Sequence, residues 1–561
     1  MEKQVLIVIW RIIDKLKGNI LKEAVPKYIM DGICLTEIEE DMEDNKALTE
    51  DNDIKIDDEL DEDLSDEEVE EELEEDLEEQ EGSFSFVGVT FGDVGTTRLQ
   101  CNVCNPVDKG EYVKIDHPTS GMVLGQIEKI ERKTDLDVDK ARNISNGEQV
   151  DIDETVIAYI NIIGYRDNRG LLKVPGNPFR AGEEIYLADE KLIKEVLGLH
   201  EDEKGAFVGK LRGHDLEVHL DINSIAQKHL SVLAKTGSGK SYTTGIIIEE
   251  MMKHDVTTVI LDPHGEYASL AKKGNVDTSN EFGVKPRGYG DKLTEFSPSP
   301  DINKGARPLR FTFSNMKPSK ILEMSDLDKR KSNIKKLENV ISRLEAGKGT
   351  YSIDDMIRLF KQNEEEDVNT IIRGLEELKK KNIFGKKGTR MDDIVQKGKT
   401  SIVNLKGTSP DLQGFVVNKL ATALFELRKR NKIPPMILFA EEAHNFCPQR
   451  GKTASSEIFH TIASEGRKFG LGLAIITQRP AKVDKNVLSQ CNTQIILKVT
   501  NPNDLKAIES SIEGVTKEMK EEIQRLPIGE AIVTGGGLSE PLFLEIRPRE
   551  TQDGGASIKV V

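Results

Sequence analysis

Five cysteines and one tryptophan are spread through 561 residues. Cysteines so sparse build no disulfide framework, so the fold must rest on its apolar cores, and a reducing cytoplasm fits. Cys101 and Cys104 form a single C-x-x-C pair without a second pair or a histidine at ligand spacing, and read as strand residues rather than zinc ligands. Apolar runs long enough to cross a bilayer are also missing. "VLIVIWRII" near the start is broken by Arg11 and no cleavage-site pattern follows it, so neither a membrane anchor nor secretion is expected. There is no internal repeat, and no N-K-x-D motif of the kind that reads guanine.

At about 150 residues per domain the length suggests two to four domains. A net charge of −21 would exclude polyanionic partners if it were evenly spread. It is not: 27 acidic residues face only Lys46 and Lys55 between Glu37 and Glu81, a local charge of −25, which leaves the remainder at about +4. That stretch has too little apolar surface to offset ordering entropy, and reads as a disordered tether over 37–82 that either solubilises the chain or binds a basic partner. Residues 1–36 before it carry an amphipathic segment. From 83 to 205, short β-rich runs such as "SFVGVTF", "EYVKID" and "TVIAYINIIGY" alternate with turn residues, which predicts a small β-barrel.

From 206 to 540 the pattern becomes strand, loop, helix. "LSVLA", "TTVILD", "TSIVNL", "PMILFA", "LGLAIITQ" and "TQIILKV" are continuous apolar runs, as strands covered on both faces require, so a parallel α/β core is expected. A charged helical insertion over 318–397 interrupts it, with Ser352-x-x-Asp355 as a capping box.

After the first of these strands stands Thr236-Gly237-Ser238-Gly239-Lys240-Ser241, followed by Tyr242 and an amphipathic helix. Glycines let successive N–H groups converge on one anion, and the helix adds its positive end. Lys240 would reach the β/γ-phosphates of ATP and Ser241 would offer a hydroxyl to Mg²⁺. The usual first glycine of this phosphate loop is Ala234 here.

Hydrolysis needs carboxylates as well. "ILFAEEAHNF" ends a strand in Glu441 and Glu442, adjacent positions that point to different sides, so Glu441 is assigned to the metal through water and Glu442 to the general base. Gln478, at the carboxyl end of "LGLAIITQ", would sense the γ-phosphate or hold water. Arg467, where a helix turns into that strand, would enter a neighbour's site as an arginine finger or serve as a surface salt bridge. Asp262, His264 and Glu266 of "ILDPHGEY" end the second core strand beside the phosphate loop.

"AKTGSGKSY", "ILDPHGEY", "FAEEAHNF", "IASEGRKFGLGLAIITQRPAKVD" and "PLFLEIRPRETQDGG", in that order, resemble the archaeal HerA ATPases of the HerA/FtsK superfamily. The resemblance runs from about Phe84 to Gly555. It implies a HAS-barrel-like domain, a RecA-like P-loop core with a helical-bundle insertion, a homo-hexamer and sequence-independent pumping of DNA. It also implies a NurA-type nuclease as partner in DNA end resection and recombinational repair. By position it implies that Gly237 to Tyr242 bind ATP, Glu442 activates water, Gln478 senses and Arg467 acts in trans. Lys228 stands where the family often has an arginine that meets phosphate, and the closing segment 541–561 would brace the adjacent subunit, with Arg547 touching its nucleotide. Two other expectations are a related DNA pump of conjugation or packaging and a non-translocating ring that scaffolds a nuclease; a P-loop kinase-like transferase would lack an acceptor lid.

Overall fold

A computed structural model describes residues 85–555 apart from 200–203, 278, 314–315, 326, 349–350, 363–367 and 513–515. The amphipathic segment 1–36 and the acidic tether 37–82 lie outside the described residues.

The β-rich runs fold as β1 (Phe86–Thr90), β2 (Arg98–Val103), β3 (Tyr112–His117), β4 (Gly121–Thr134), β5 (Glu154–Arg166), β6 (Leu172–Lys173) and β7 (Glu184–Leu187). Six of them close in the order β2-β1-β7-β3-β4-β5, with β5 pairing back to β2, and β6 extends β5. Closure removes the open edges that a small sheet would otherwise present. Side chains alternate as the pattern predicts: Val113 and Ile115 of β3 are buried, whereas Asp116 is exposed. β4 and β5 run for 14 and 13 residues, and register shifts at Leu124/Gly125 and Ile127/Lys129 bend the pair so that it serves both walls. β1 crosses β2 so closely that a Cβ on Gly88 would stand 1.9 Å from the Asn102 carbonyl oxygen.

The second sheet comprises β8 (Gly205–Leu211), β9 (Glu217–Asp221), β10 (Leu230–Leu233), β11 (Thr257–Asp262), β12 (Leu293–Ser297), β13 (Arg307–Pro308), β14 (Thr400–Asn404), β15 (Met436–Ala440), β16 (Leu471–Thr477), β17 (Thr493–Ile496), β18 (Glu530–Thr534) and β19 (Leu542–Ile546). Their order is β13-β12-β14-β11-β15-β16-β10-β17-β18-β19-β8-β9. Pairs from β13 to β17 are parallel, and those from β17 to β9 are antiparallel. The six apolar runs expected to form a parallel core are β10, β11, β14, β15, β16 and β17, which pair in parallel, and the sheet continues beyond them as an antiparallel wing that the runs did not announce. Strands β17 to β19 are joined by connections that return along the sheet rather than crossing it, and such connections give antiparallel neighbours.

Every residue of β10, β11, β15 and β16 is buried. Helix α1 (Lys240–Lys253) covers one face and is itself buried from Thr243 to Met252. The insertion contributes α2 (Lys331–Lys348), α3 (Ile353–Gln362) and α4 (Asn369–Lys380). Ile353, Met356, Ile357 and Phe360 form the buried stripe of α3, and its capping box closes through Asp355 N to Ser352 Oγ at 3.3 Å and Ser352 N to Asp355 Oδ2 at 3.0 Å. One apolar cluster joins these helices to the sheet through Phe296, Val403 and Leu438. α5 (Pro410–Lys429) and α6 (Ser456–Phe469) complete the parallel units.

Gly88→Val is expected to lower the first thermal unfolding transition by about 5 °C or more, because overpacking against backbone costs about 1–3 kcal/mol and each kcal/mol moves a small domain by about 4–8 °C. A calorimetric scan identical to that of the wild type would contradict the close crossing of β1 and β2.

Candidate active site

The order of the central strands decides the site. β10 lies between β16 and β17, β15 lies beyond β16, and the parallel strands all end at one edge, where open α/β sheets hold ligands. Between β10 and α1 the backbone turns through Gly237 at φ 77° and Gly239 at φ 94°, a left-handed conformation that glycine adopts without strain. Ala234 is buried at the entrance, where its N–H meets the Thr477 carbonyl at 3.3 Å. Thr236 donates its hydroxyl to Gln478 Oε1, which joins the phosphate loop to the end of β16. The loop borders a cavity of about 630 Å³ with Tyr242, His264, Glu266, Glu442, Gln478, Ile528 and Asp553 on its walls.

Lys240 sits at the first turn of α1, and its ammonium meets two carboxylates. It is paired with Glu441 Oε1 and lies 3.2 Å from Glu442 Oε1. Glu441 is fully buried, and its second oxygen accepts the Tyr267 hydroxyl at 2.6 Å. Burial holds that phenol well above its ordinary range, so it remains a donor. The turn carrying Tyr267 is fixed by Asp262, which accepts N–H bonds from His264, Gly265 and Tyr267 at 3.2, 2.8 and 3.1 Å. Burial still pushes the Asp262 carboxyl up to about 6, against the pull of those amides.

Glu442 follows β15 with φ at 51°, an uncommon left-handed conformation for a residue with a side chain. Its Oε2 is buried without a hydrogen-bond partner, 3.3 Å from His444 Nδ1. That His444 nitrogen also lies 3.1 Å from Thr477 Oγ1. Burial pushes the His444 imidazole below 6.5, and attraction to Glu442 only partly opposes this. Burial thus favours the neutral form of the ring.

The structure thus brings together Thr236, Gly237, Ser238, Gly239, Lys240, Ser241, Tyr242, Glu441, Glu442 and Gln478. It places the other three expected residues elsewhere. Lys228 precedes β10 at the end opposite the phosphate loop, and there it shares a second cavity of about 670 Å³ with Arg467 and Lys468. Arg467, in the last turn of α6, is exposed and enters no ion pair among the described residues. Neither cation reaches the phosphate loop of its own chain.

Arg547 corrects the reading most sharply. It is fully buried, donating to Phe207 O at 2.8 Å, Pro548 O at 2.8 Å, Glu249 Oε2 at 3.2 Å and Glu250 Oε1 at 2.7 Å. Its guanidinium bridges two carboxylates of α1, one of which Lys253 also meets, and has no surface left for a nucleotide. The segment expected to brace a neighbour is woven into its own chain, as β19 and then through Arg549, whose N–H donates to the Tyr242 hydroxyl at 2.9 Å. Sequence reasoning also missed Tyr267, although it stands in "ILDPHGEY" beside residues that were noted. It missed Ile528 and Asp553 because no local spacing links them to the loop they face.

A family model described as the central domain of helicase HerA matches residues 206–424. Over 508 residues the chain is 28% identical to a probable helicase of Methanocaldococcus jannaschii, covering 85% of this chain and 93% of that one. Over 522 residues it is 28% identical to the DNA double-strand break repair helicase HerA of Pyrococcus furiosus, covering 82% and 92%. Among solved structures, VirB4 of Thermoanaerobacter pseudethanolicus superposes with a TM-score of 0.43 at 14% identity, covering 62% of this chain and 98% of that one.

His229, beside Lys228, yields a pH prediction. Its Nδ1 accepts from Leu473 N at 2.9 Å, its Nε2 meets Ala463 O at 3.1 Å, and burial pushes it down to about 4. An unfolded histidine titrates near about 6.5, so between these values the unfolded chain binds more protons and stability falls as pH falls. The thermal midpoint of the wild type should drop further between pH 7 and pH 5 than that of His229→Gln, whose amide can make both bonds. Equal drops would contradict this.

Proposed function

We propose that the chain is a HerA-type P-loop ATPase, as its likeness to the HerA central domain and to HerA-named helicases supports, and that it hydrolyses ATP to move along DNA. The observation that carries the proposal is the pair at the end of β15, where Lys240 is shared by Glu441 and Glu442, and Glu442, whose buried Oε2 has no hydrogen-bond partner, lines the phosphate-loop cavity. A lysine that grips phosphate and a carboxylate oxygen open to a proton are what anhydride hydrolysis asks of a protein.

The backbone N–H groups of the loop and Lys240 hold the phosphates. Glu442 accepts the proton of the attacking water, and its rigid left-handed placement aims that oxygen. Gln478, tied to Thr236, stands where it can order the same water or register the terminal phosphate. Ser241 and Glu441 would hold Mg²⁺, since hydroxyl and carboxylate oxygens suit a hard cation. When bound, that ion neutralises charge on the phosphates.

The exposed Arg467, with Lys228 in the cavity at the far end of β10, supports assembly into a homo-hexamer in which one copy supplies cations to the next copy's nucleotide. The near-neutral charge outside the acidic stretch allows contact with a DNA backbone. Double-strand break repair, in the name of the Pyrococcus furiosus relative, supports a role in end resection; the NurA-type nuclease is proposed from the resemblance alone. No helix among the described residues is long and apolar enough to cross a membrane.

Glu442→Gln should retain ATP binding while turnover falls by about 10²-fold or more. Normal turnover would remove Glu442 from the role of base. For Arg467, mixtures of Arg467→Ala and Lys240→Ala chains should recover part of the activity that each lacks alone, and no recovery at any ratio would count against action between copies.

A further inference from the structure

We propose that Glu266 supplies a carboxylate oxygen to the outer coordination shell of the divalent cation that accompanies the nucleotide. The proposal rests on the hydrolase function above and adds a residue to the same site.

Glu266 follows β11 on the turn that Asp262 pins through three backbone amides, so its position is set by the sheet rather than by a free loop. The closing segment presses on it from the other side: a Cβ on Gly554 would stand 2.1 Å from the Glu266 carbonyl oxygen. Its side chain borders the phosphate-loop cavity together with Ser241. A Cβ on Gly555 would lie 3.5 Å from Asp553 Oδ1 and 3.8 Å from both Glu266 Oε2 and Ser241 Cβ, so acid and serine border the same small space beside Gly555.

The carboxylates on these walls, and Glu441 buried behind them, are not equally available: Asp553 Oδ1 accepts from Arg549 Nη1 at 3.4 Å and from Gly555 N at 3.0 Å. Glu441 has both of its oxygens engaged, one by Lys240 and one by Tyr267. Glu442 spends one on Lys240 and keeps the other beside His444. Glu266 Oε2 is cut off from solvent, has no hydrogen-bond partner, and Glu266 enters no ion pair among the described residues. A buried carboxylate oxygen without a donor calls for a partner, and an ordered water or a hydrated ion is one that would complete it. Here the neighbour is the hydroxyl assigned to Mg²⁺. A small hard cation keeps several of its waters when bound, and those waters are donors that would reach a carboxylate too distant for direct ligation. Outer-shell partners of this kind typically change metal affinity by about 10–100-fold.

The test is an electron paramagnetic resonance titration of Mn²⁺ into the full chain with a non-hydrolysable ATP analogue. Glu266→Gln should weaken Mn²⁺ binding about tenfold, while binding of a fluorescent ATP analogue in excess EDTA stays at the wild-type value. The difference should persist in about 0.5 M KCl, where diffuse attraction between exposed charges is screened. Glu266→Asp, a shorter carboxylate, should fall between the two and serves if the amide variant does not fold. Unchanged Mn²⁺ affinity in Glu266→Gln, or a difference that vanishes in high salt, overturns the proposal and leaves the hydrolase function standing. A wild-type chain that binds the fluorescent nucleotide no better than Lys240→Ala overturns both.

Discussion

The ammonium of Lys240, shared between two adjacent carboxylates at the end of β15, is the contact on which the rest of the site depends. All three groups are nearly shut off from water, with side-chain exposures of 10%, 1% and 5% for Lys240, Glu441 and Glu442. Ions so placed pay heavily for lost hydration, and leaving one unpaired typically costs about 3–5 kcal/mol. On the proposed function, a nucleotide phosphate exchanges for a carboxylate at Lys240, one anion for another, so the cation is never left alone. The same exchange would free Glu441 and Glu442 in the step that delivers the substrate.

The helix that carries Lys240 is held at its other end by a second buried ionic group. Glu249 and Glu250 on α1 receive the Arg547 guanidinium, and Glu249 also accepts from Thr551 N and Oγ1 at 2.9 and 2.6 Å. Opposite Gly245 lies Arg549, so near that a Cβ would stand 2.5 Å from its Cζ. The closing segment then runs on to Asp553 and Gly555, on the wall of the phosphate-loop cavity. Asp553 and Gly555 thereby share that cavity with the phosphate loop of their own chain, and the same segment packs along α1.

Much of this was legible in the sequence because burial on both faces leaves an unmistakable pattern. "TTVILD", "MILFA" and "LGLAIIT" admit little but central strands, and the residues just beyond them had to be Glu441, Glu442 and Gln478 at one edge. The antiparallel wing was not legible, since "EAIVT" and "LFLEI" are equally compatible with either strand direction and only tertiary connections decide. Arg547 was misread for a physical reason: a cation near a motif looks the same in sequence whether it meets a ligand or an internal carboxylate. The missing half of that pair was nonetheless visible, because Glu249 and Glu250 stand in "IIIEEMM", where two acids amid buried apolar residues require an internal counter-charge.

The two cavities lie at opposite ends of β10, one lined by the phosphate loop and the other by Lys228 and Arg467. On the proposed function, assembly of copies brings the second against the first, so hydrolysis in one copy is felt by its neighbour and passed to DNA. Steady-state ATP turnover of the full chain with and without duplex DNA tests that coupling most directly. The account predicts a several-fold acceleration by DNA; turnover at the same rate in both conditions would contradict it.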